Sequence, residues 1–150
     1  MLKRRGLQAI QALLELALEP GRWRSGPDLA ASQGIPEPML EQVLLQLRRA
    51  GLVEARRGRH GGYRLQRSTA AIPLLEVLRA VEADPSQQLE ATEVSQLNAE
   101  QAGEQVALAL ERRLQLALER ELARLSLEEL LYDLRSTQEC LRQEGGLMLG

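Results

Sequence analysis

The chain has 150 residues, enough for one ordinary domain or a small domain with an accessory segment. Hydrophobic residues make up 44%, but aromatics only 2% and Phe is absent, so Leu, Ala and Val must fill the core in a mixture that favours helix over sheet. The formal charge of −2 divides unevenly: residues 1–67 carry 12 Lys/Arg against 6 Asp/Glu, and residues 68–150 carry 7 against 15, so a front of +6 suited to a polyanion precedes a back of −8. A single cysteine, Cys140, excludes an internal disulfide framework. No apolar run is long enough to span a bilayer, and MLKRRG is not followed by a signal-peptide core, so a cytoplasmic protein is expected.

Leu7, Ile10, Leu13, Leu14, Ala17 and Leu18 recur at helical spacing and predict a first amphipathic helix over 4–19, stopped by Pro20-Gly21. Ser25 is placed to cap a short second helix, with Pro27 in its first turn, Asp28 near its positive end and Gly34 as its stop. Glu37 opens a third helix, in which Met39, Leu40, Val43, Leu44 and Leu47 form the apolar stripe up to Gly51. A short helix, a glycine turn and a longer helix make a helix-turn-helix pattern, weak by itself because many helical hairpins share it. Residues 52–57 and 63–67 then roughly alternate and are joined by Gly58-Arg59-His60-Gly61-Gly62, which predicts a hairpin with a glycine-rich tip. A basic two-stranded ribbon beside a helix-turn-helix is a wing, and the combination is far more specific than either half.

Ile72-Pro73-Leu74-Leu75 begins a fourth helix to about Ala83, and the polar stretch 84–97, DPSQQLEATEVSQL, predicts a mobile loop. Asn98 with Gln101 has the spacing of a capping box that opens a long helix through about Leu125. Val106, Leu110, Leu114, Leu118, Leu122 and Leu125 lie along one side of it, and Leu108, Ala109, Leu116 and Ala117 widen the arc beyond what one small neighbour covers. These residues are the expected dimerisation face. Ser126 and Glu129 repeat the capping pattern, a final helix runs to about Gln143, and the GGLMLG tail is expected to fray.

The run GIPEPMLEQVLLQLRRAGLVEARRGRHGGYRL, with its LEQ, AGLV, RG and GGY-x-L pattern, closely resembles the Rrf-two (Rrf2) family of bacterial winged-helix transcription regulators. The match is most specific over residues 35–65 and extends more loosely over the whole chain, including SLEEL at 126–130. The resemblance implies a mainly α fold: a winged helix-turn-helix with a two-stranded β wing, and a long C-terminal helix that crosses its counterpart in a homodimer. It further implies a regulator, most often a repressor, that binds a partly palindromic site on double-stranded DNA. Residues 1–67 would bind DNA and residues 68–150 would link and dimerise, within one compact chain.

Carried over by position, Glu41 and Gln42 match recognition-helix residues that reach base edges, Arg57 matches a wing arginine at the DNA, and Gly58, Gly61 and Gly62 match the turn glycines of the wing. The chain departs from the pattern in having Pro36 and Pro38 where small hydroxyl residues are frequent. Cluster-binding members carry three closely spaced cysteines between the fourth and the long helix, where residues 84–105 have none, so no cofactor is expected. Regulation would then come from a ligand in the 84–97 region, from a partner protein or from abundance alone.

The basic residues Arg48, Arg49, Arg56, Arg57, Arg59, Arg64 and Arg67 could form a solvated face, but charge, wing and helix-turn-helix coincide, which favours DNA. Glu41 is costly beside phosphates unless it accepts a hydrogen bond from cytosine N4. Tyr63 is expected to pack the wing on the core, Trp23 to be a half-buried anchor before the second helix, and His60 at the wing tip to approach phosphate, its isolation arguing against a metal. Cys140, with no cysteine neighbour and no nearby basic cluster, is expected to be an inert packed thiol. Enzyme chemistry has little support: one His and one Cys lie far apart, and GRHGG lacks the Lys-Ser/Thr of a phosphate loop. The rival reading is a winged-helix protein-interaction module without DNA binding, which would not need so concentrated a positive wing.

Overall fold

The computed structural model describes residues 2–82 and 101–148. Helix α1 (Arg4–Leu18) buries Ala9, Ala12, Leu13, Leu16 and Ala17, the alanines allowing close approach and the leucines supplying volume. The buried face is rotated from the expected one. Leu7 is 46% exposed, and Ile10, Leu14 and Leu18 only flank the core, because the small-residue side of the helix packs deepest.

Ser25 caps α2 (Gly26–Gln33) by accepting a hydrogen bond from the Asp28 N–H at 3.2 Å, and Pro27 sits in the first turn, where its missing donor costs nothing. After the turn at Gly34, α3 (Glu37–Arg49) buries Leu40, Val43, Leu44 and Leu47. Met39, expected in that stripe, is 36% exposed, since it lies about 100° around the helix from Leu40.

Strands β1 (Val53–Arg56) and β2 (Gly62–Leu65) pair antiparallel in the register Val53↔Leu65, Glu54↔Arg64, Ala55↔Tyr63 and Arg56↔Gly62. Each is shorter than the alternation suggested, and Gly62 belongs to the ladder rather than to the connection. Leu52, Val53 and Leu65 are buried and attach the ribbon to the helical core. A 3-10 turn (Thr69–Ala71), without a sequence signal of its own, delivers Ile72 into the core before α4 (Leu74–Glu82) begins. The fourth helix therefore starts two residues later than Ile72.

Helix α5 (Ala102–Arg124) spans ~35 Å at ~1.5 Å per residue. Gln101 occupies its cap position without a side-chain cap bond, and Asn98, the other half of the expected box, lies outside the described residues with Ala83 and the 84–97 stretch. Near its C-terminal end α5 leans on α4, where Arg79 meets Glu119 at 3.7 Å and Leu118 and Leu122 are half-buried. The start of α6 (Leu127–Met148) is tied to the start of α4: the Leu74 N–H donates to the Leu125 carbonyl and the Leu127 N–H to the Ile72 carbonyl, both at 2.9 Å. The Ser126 N–H donates to Glu129 Oε2 at 2.6 Å, the backbone half of the second capping box. Leu127 and Leu131 then join Leu13, Leu44 and Val77 in one core.

Two expectations about the end of the chain are corrected. Helix α6 continues to Met148 rather than fraying after Gln143, as propagating a formed helix costs far less than nucleating one. Cys140 is exposed, not packed, because the helix by then has left the surface of α1 that covers Leu127 and Leu131.

Candidate nucleic-acid interface

Opposite the buried stripe of α3, the residues Pro38, Gln42, Leu45 and Arg49 form an exposed row at helical spacing. Leu45, 43% exposed, was not anticipated as part of a site, although the same 100° rule that found the stripe identifies the row. Arg5 of α1 donates to Gln42 Oε1 at 2.8 Å, which brings the basic start of the chain beside α3. No signal in the sequence pairs those two residues. At the helix start, Pro36 and Pro38 remove two backbone donors and the cap makes no side-chain bond, so little remains there to hold a phosphate.

Glu41 does not share that outward row. It is half-buried and turned toward the wing, where the Tyr63 hydroxyl donates to its Oε2 at 3.2 Å. A Cβ built on Gly26 would lie 2.1 Å from Glu41 Oε1, so the carboxylate sits against the start of α2 and would have to shift to admit a side chain there. Burial, the charge of Glu41 and the hydrogen bond to it hold the Tyr63 hydroxyl above its ordinary pKa, against a smaller opposing effect of Arg48. The Tyr63 ring packs against the core, so this residue joins wing, recognition helix and interior.

The wing turns tightly at its tip. A Cβ on Gly61 would lie 2.0 Å from the Arg56 carbonyl oxygen, and one on Gly62, at φ 142°, would lie 2.3 Å from the Arg24 carbonyl oxygen. Both positions exclude any side chain. Arg24 is the reason for the second: its N–H donates to the Tyr63 carbonyl at 2.9 Å and its carbonyl accepts from the Tyr63 N–H at 2.7 Å, so it acts as a one-residue third strand. Arg56 donates to the His60 carbonyl at 2.7 Å and closes the turn, leaving Arg57, Gly58, Arg59 and His60 exposed at the tip.

Ion pairing sorts the arginines. Arg24 meets Glu15 at 3.0 Å and Asp28 at 2.5 Å; burial works against its charge, but these two carboxylates outweigh burial and hold its pKa above the ordinary value. Arg64 pairs with Glu54, and Arg67 with Glu76 at 2.5 Å. In α3 and the wing, Arg48, Arg49, Arg56, Arg57 and Arg59 are exposed and have no ion pair among the described residues, and Arg56 alone of the five is held by a hydrogen bond, to the His60 carbonyl. The second feature is α5, in which no residue is buried: Val106, Leu110 and Leu114 are 71%, 54% and 56% exposed, while Leu118, Leu122 and Leu125 are half-buried.

A comparison with known proteins places this geometry. The Rrf2 family model, described as iron-dependent transcriptional regulator, matches residues 2–133. The HTH-type transcriptional regulator IscR of Cereibacter sphaeroides is 44% identical over 87 residues, 54% of each chain. The chain spans about half the length of the curated relatives it matches. Among solved structures, T. potens IscR superposes with a TM-score of 0.72 at 27% identity, covering 92% of this chain and 90% of that one. CymR, the global cysteine regulator of B. subtilis, superposes with a TM-score of 0.67 at 28% identity, covering 88% and 96%. The chain's donor set does not fit an iron cluster: its one cysteine is exposed on α6 and its one histidine is at the wing tip. Among the described residues no group of three or more His, Cys, Asp or Glu side chains could hold a metal ion. With a family match over nearly its whole length and a winged helix-turn-helix followed by a long C-terminal helix, the chain belongs to the Rrf2 family of transcriptional regulators.

Proposed function

We propose that this protein is a sequence-specific transcription regulator that binds a partly palindromic site on double-stranded DNA as a homodimer and acts as a repressor. The observation that carries the reading is the coincidence of four exposed arginines with neither ion pair nor hydrogen bond, Arg48, Arg49, Arg57 and Arg59, with the outward row of α3 and the tip of the wing. Residues 1–67 bind DNA, and residues 68–150 link and dimerise. The row Pro38, Gln42, Leu45 and Arg49 enters the major groove, where an amide can bridge adenine and an exposed leucine can meet a thymine methyl. The glycine-tipped ribbon is slim enough for the adjoining minor groove, with Arg57 in its negative potential.

For Glu41 to read a base, its carboxylate, drawn toward the wing by the Tyr63 hydroxyl on Oε2, must also accept from cytosine N4. Dimerisation through Val106, Leu110 and Leu114 covers apolar surface that nothing else in the described chain covers. It also fixes the spacing of the two half-sites. The experiment is selection of bound fragments from a genomic duplex library, followed by titration at several salt concentrations. An enriched inverted repeat with a steep salt dependence is expected, and a protein whose affinity for duplex is absent or indifferent to salt overturns the reading.

A further inference from the structure

Trp23 is the one tryptophan in the chain, and two wing arginines lie over its ring: the Arg56 guanidinium carbon is 4.5 Å from the ring centroid and that of Arg64 is 4.3 Å away. A ribbon of two four-residue strands does not hold its own position. Here it is held by the backbone bridge between Arg24 and Tyr63. In an antiparallel bridge the next residues face each other, so Trp23 stands opposite Arg64, on the wing face that also carries Glu54 and Arg56. The other face carries Val53, Ala55, Tyr63 and Leu65 toward the core. The Arg24 side chain is only 12% exposed between Glu15 of α1 and Asp28 of α2, so the strand that carries Trp23 is anchored to both helices.

We infer that Trp23 is the positioning residue of the wing: it stacks Arg56 and Arg64, withdraws them from phosphate contact, and sets the pitch at which Arg57 and Arg59 are presented. This rests on the DNA-binding reading above for its consequence, though not for the stack itself. Arg56 is held by the ring and by the His60 carbonyl, and Arg64 by the ring and by Glu54. Either would give up two partners in order to gain a phosphate. Arg57 and Arg59 give up none. The wing thus has two kinds of arginine, one structural and one for the polyanion, and the tryptophan ring separates them.

The single tryptophan makes the stack directly observable. In the free protein, Arg56→Ala and Arg64→Ala should each shift the emission of Trp23 with the far-ultraviolet circular dichroism unchanged; emission identical to wild type in both variants overturns the stack. On a random-sequence duplex, Arg57→Ala should lower the slope of log affinity against log salt by about one per wing. Arg56→Ala should weaken binding without changing that slope. Trp23→Ala, which leaves Arg56 on the His60 carbonyl and Arg64 on Glu54 but removes the ring that sets the pitch of Arg57 and Arg59, should lower that slope, and Trp23→Phe, which keeps a ring face, should restore the wild-type value; a wild-type slope in Trp23→Ala overturns the positioning role. A slope loss in Arg56→Ala equal to that in Arg57→Ala overturns the assignment. A wild-type protein that ignores duplex at every salt concentration would instead sink the DNA-binding reading, and the emission shifts would still decide whether the stack exists.

Discussion

At the scale of single residues, Glu41 is where packing and proposed recognition compete. Its carboxylate is half-buried against Tyr63 and sits against Gly26 at the start of α2. Tyr63→Phe should cost about 1 kcal/mol in urea unfolding, the usual worth of one partly exposed hydrogen bond. Burial and the neighbouring charge of Glu41 raise the Tyr63 pKa, so the folded state favours the neutral phenol. That stabilisation is fully present below the unfolded value of about 10 and is lost as pH rises through the folded one. The difference between wild type and Tyr63→Phe should therefore shrink in the alkaline range; a constant difference would show that ionisation of this hydroxyl is not linked to folding. Glu41→Ala should leave affinity for random duplex intact or slightly raised, and relax preference at one base per half-site by roughly 1–3 kcal/mol. If every sequence loses affinity by one common factor, Glu41 acts only through packing.

At the scale of elements, the wing and α5 show opposite kinds of incompleteness. The wing is short but secured, by Arg24 on one edge and by Leu52, Val53 and Leu65 underneath. Helix α5 is long and unsecured, with Leu110 and Leu114 more than half exposed. Replacing both by Glu should give monomers by sedimentation at micromolar concentration, without loss of helical signal, because neither side chain is part of the described core. Binding to an inverted repeat should weaken in the same variant, since two half-sites no longer share one ligand. A wild-type protein that sediments as a monomer would contradict the role given to α5. Leu118 is a poorer probe, as it is half-buried where α5 leans on α4 and its loss would disturb the subunit itself.

At the scale of the whole molecule, membership of the Rrf2 family and the chemistry of this chain point to different inputs. Iron held by the protein needs several thiolate or imidazole ligands converging on one place, and Cys140 and His60 lie on the last helix and the wing tip. Protein purified without oxygen should show no visible absorption band and no stoichiometric iron; a band with matching iron would refute this. The core has no such ambiguity. Residues from α1, α2, α3, both strands, α4 and α6 meet in one cluster, so the unit that presents the basic surface is built with the helix that follows α5.

Much of this was legible before any coordinates, and for a physical reason: it depended on neighbours in the chain. Ser25 with Asp28 is a cap, Gly34 a turn, Leu40-Val43-Leu44-Leu47 a buried stripe, and Gly61-Gly62 a tight wing, because each rests on local backbone geometry or helical period. The long helix with unmatched apolar residues followed from periodicity in the same way. What the tertiary structure alone decided are contacts between segments far apart. It turned Glu41 toward Tyr63 and away from the outward row, laid Arg56 and Arg64 on Trp23, joined Arg5 to Gln42, and rotated the buried face of α1 onto its alanines. It also carried α6 off the surface of α1 before Cys140, which leaves that thiol in the open. Charge and period along the chain say how many arginines gather in the helix-turn-helix and the wing; only the folded chain says which of them are already paired.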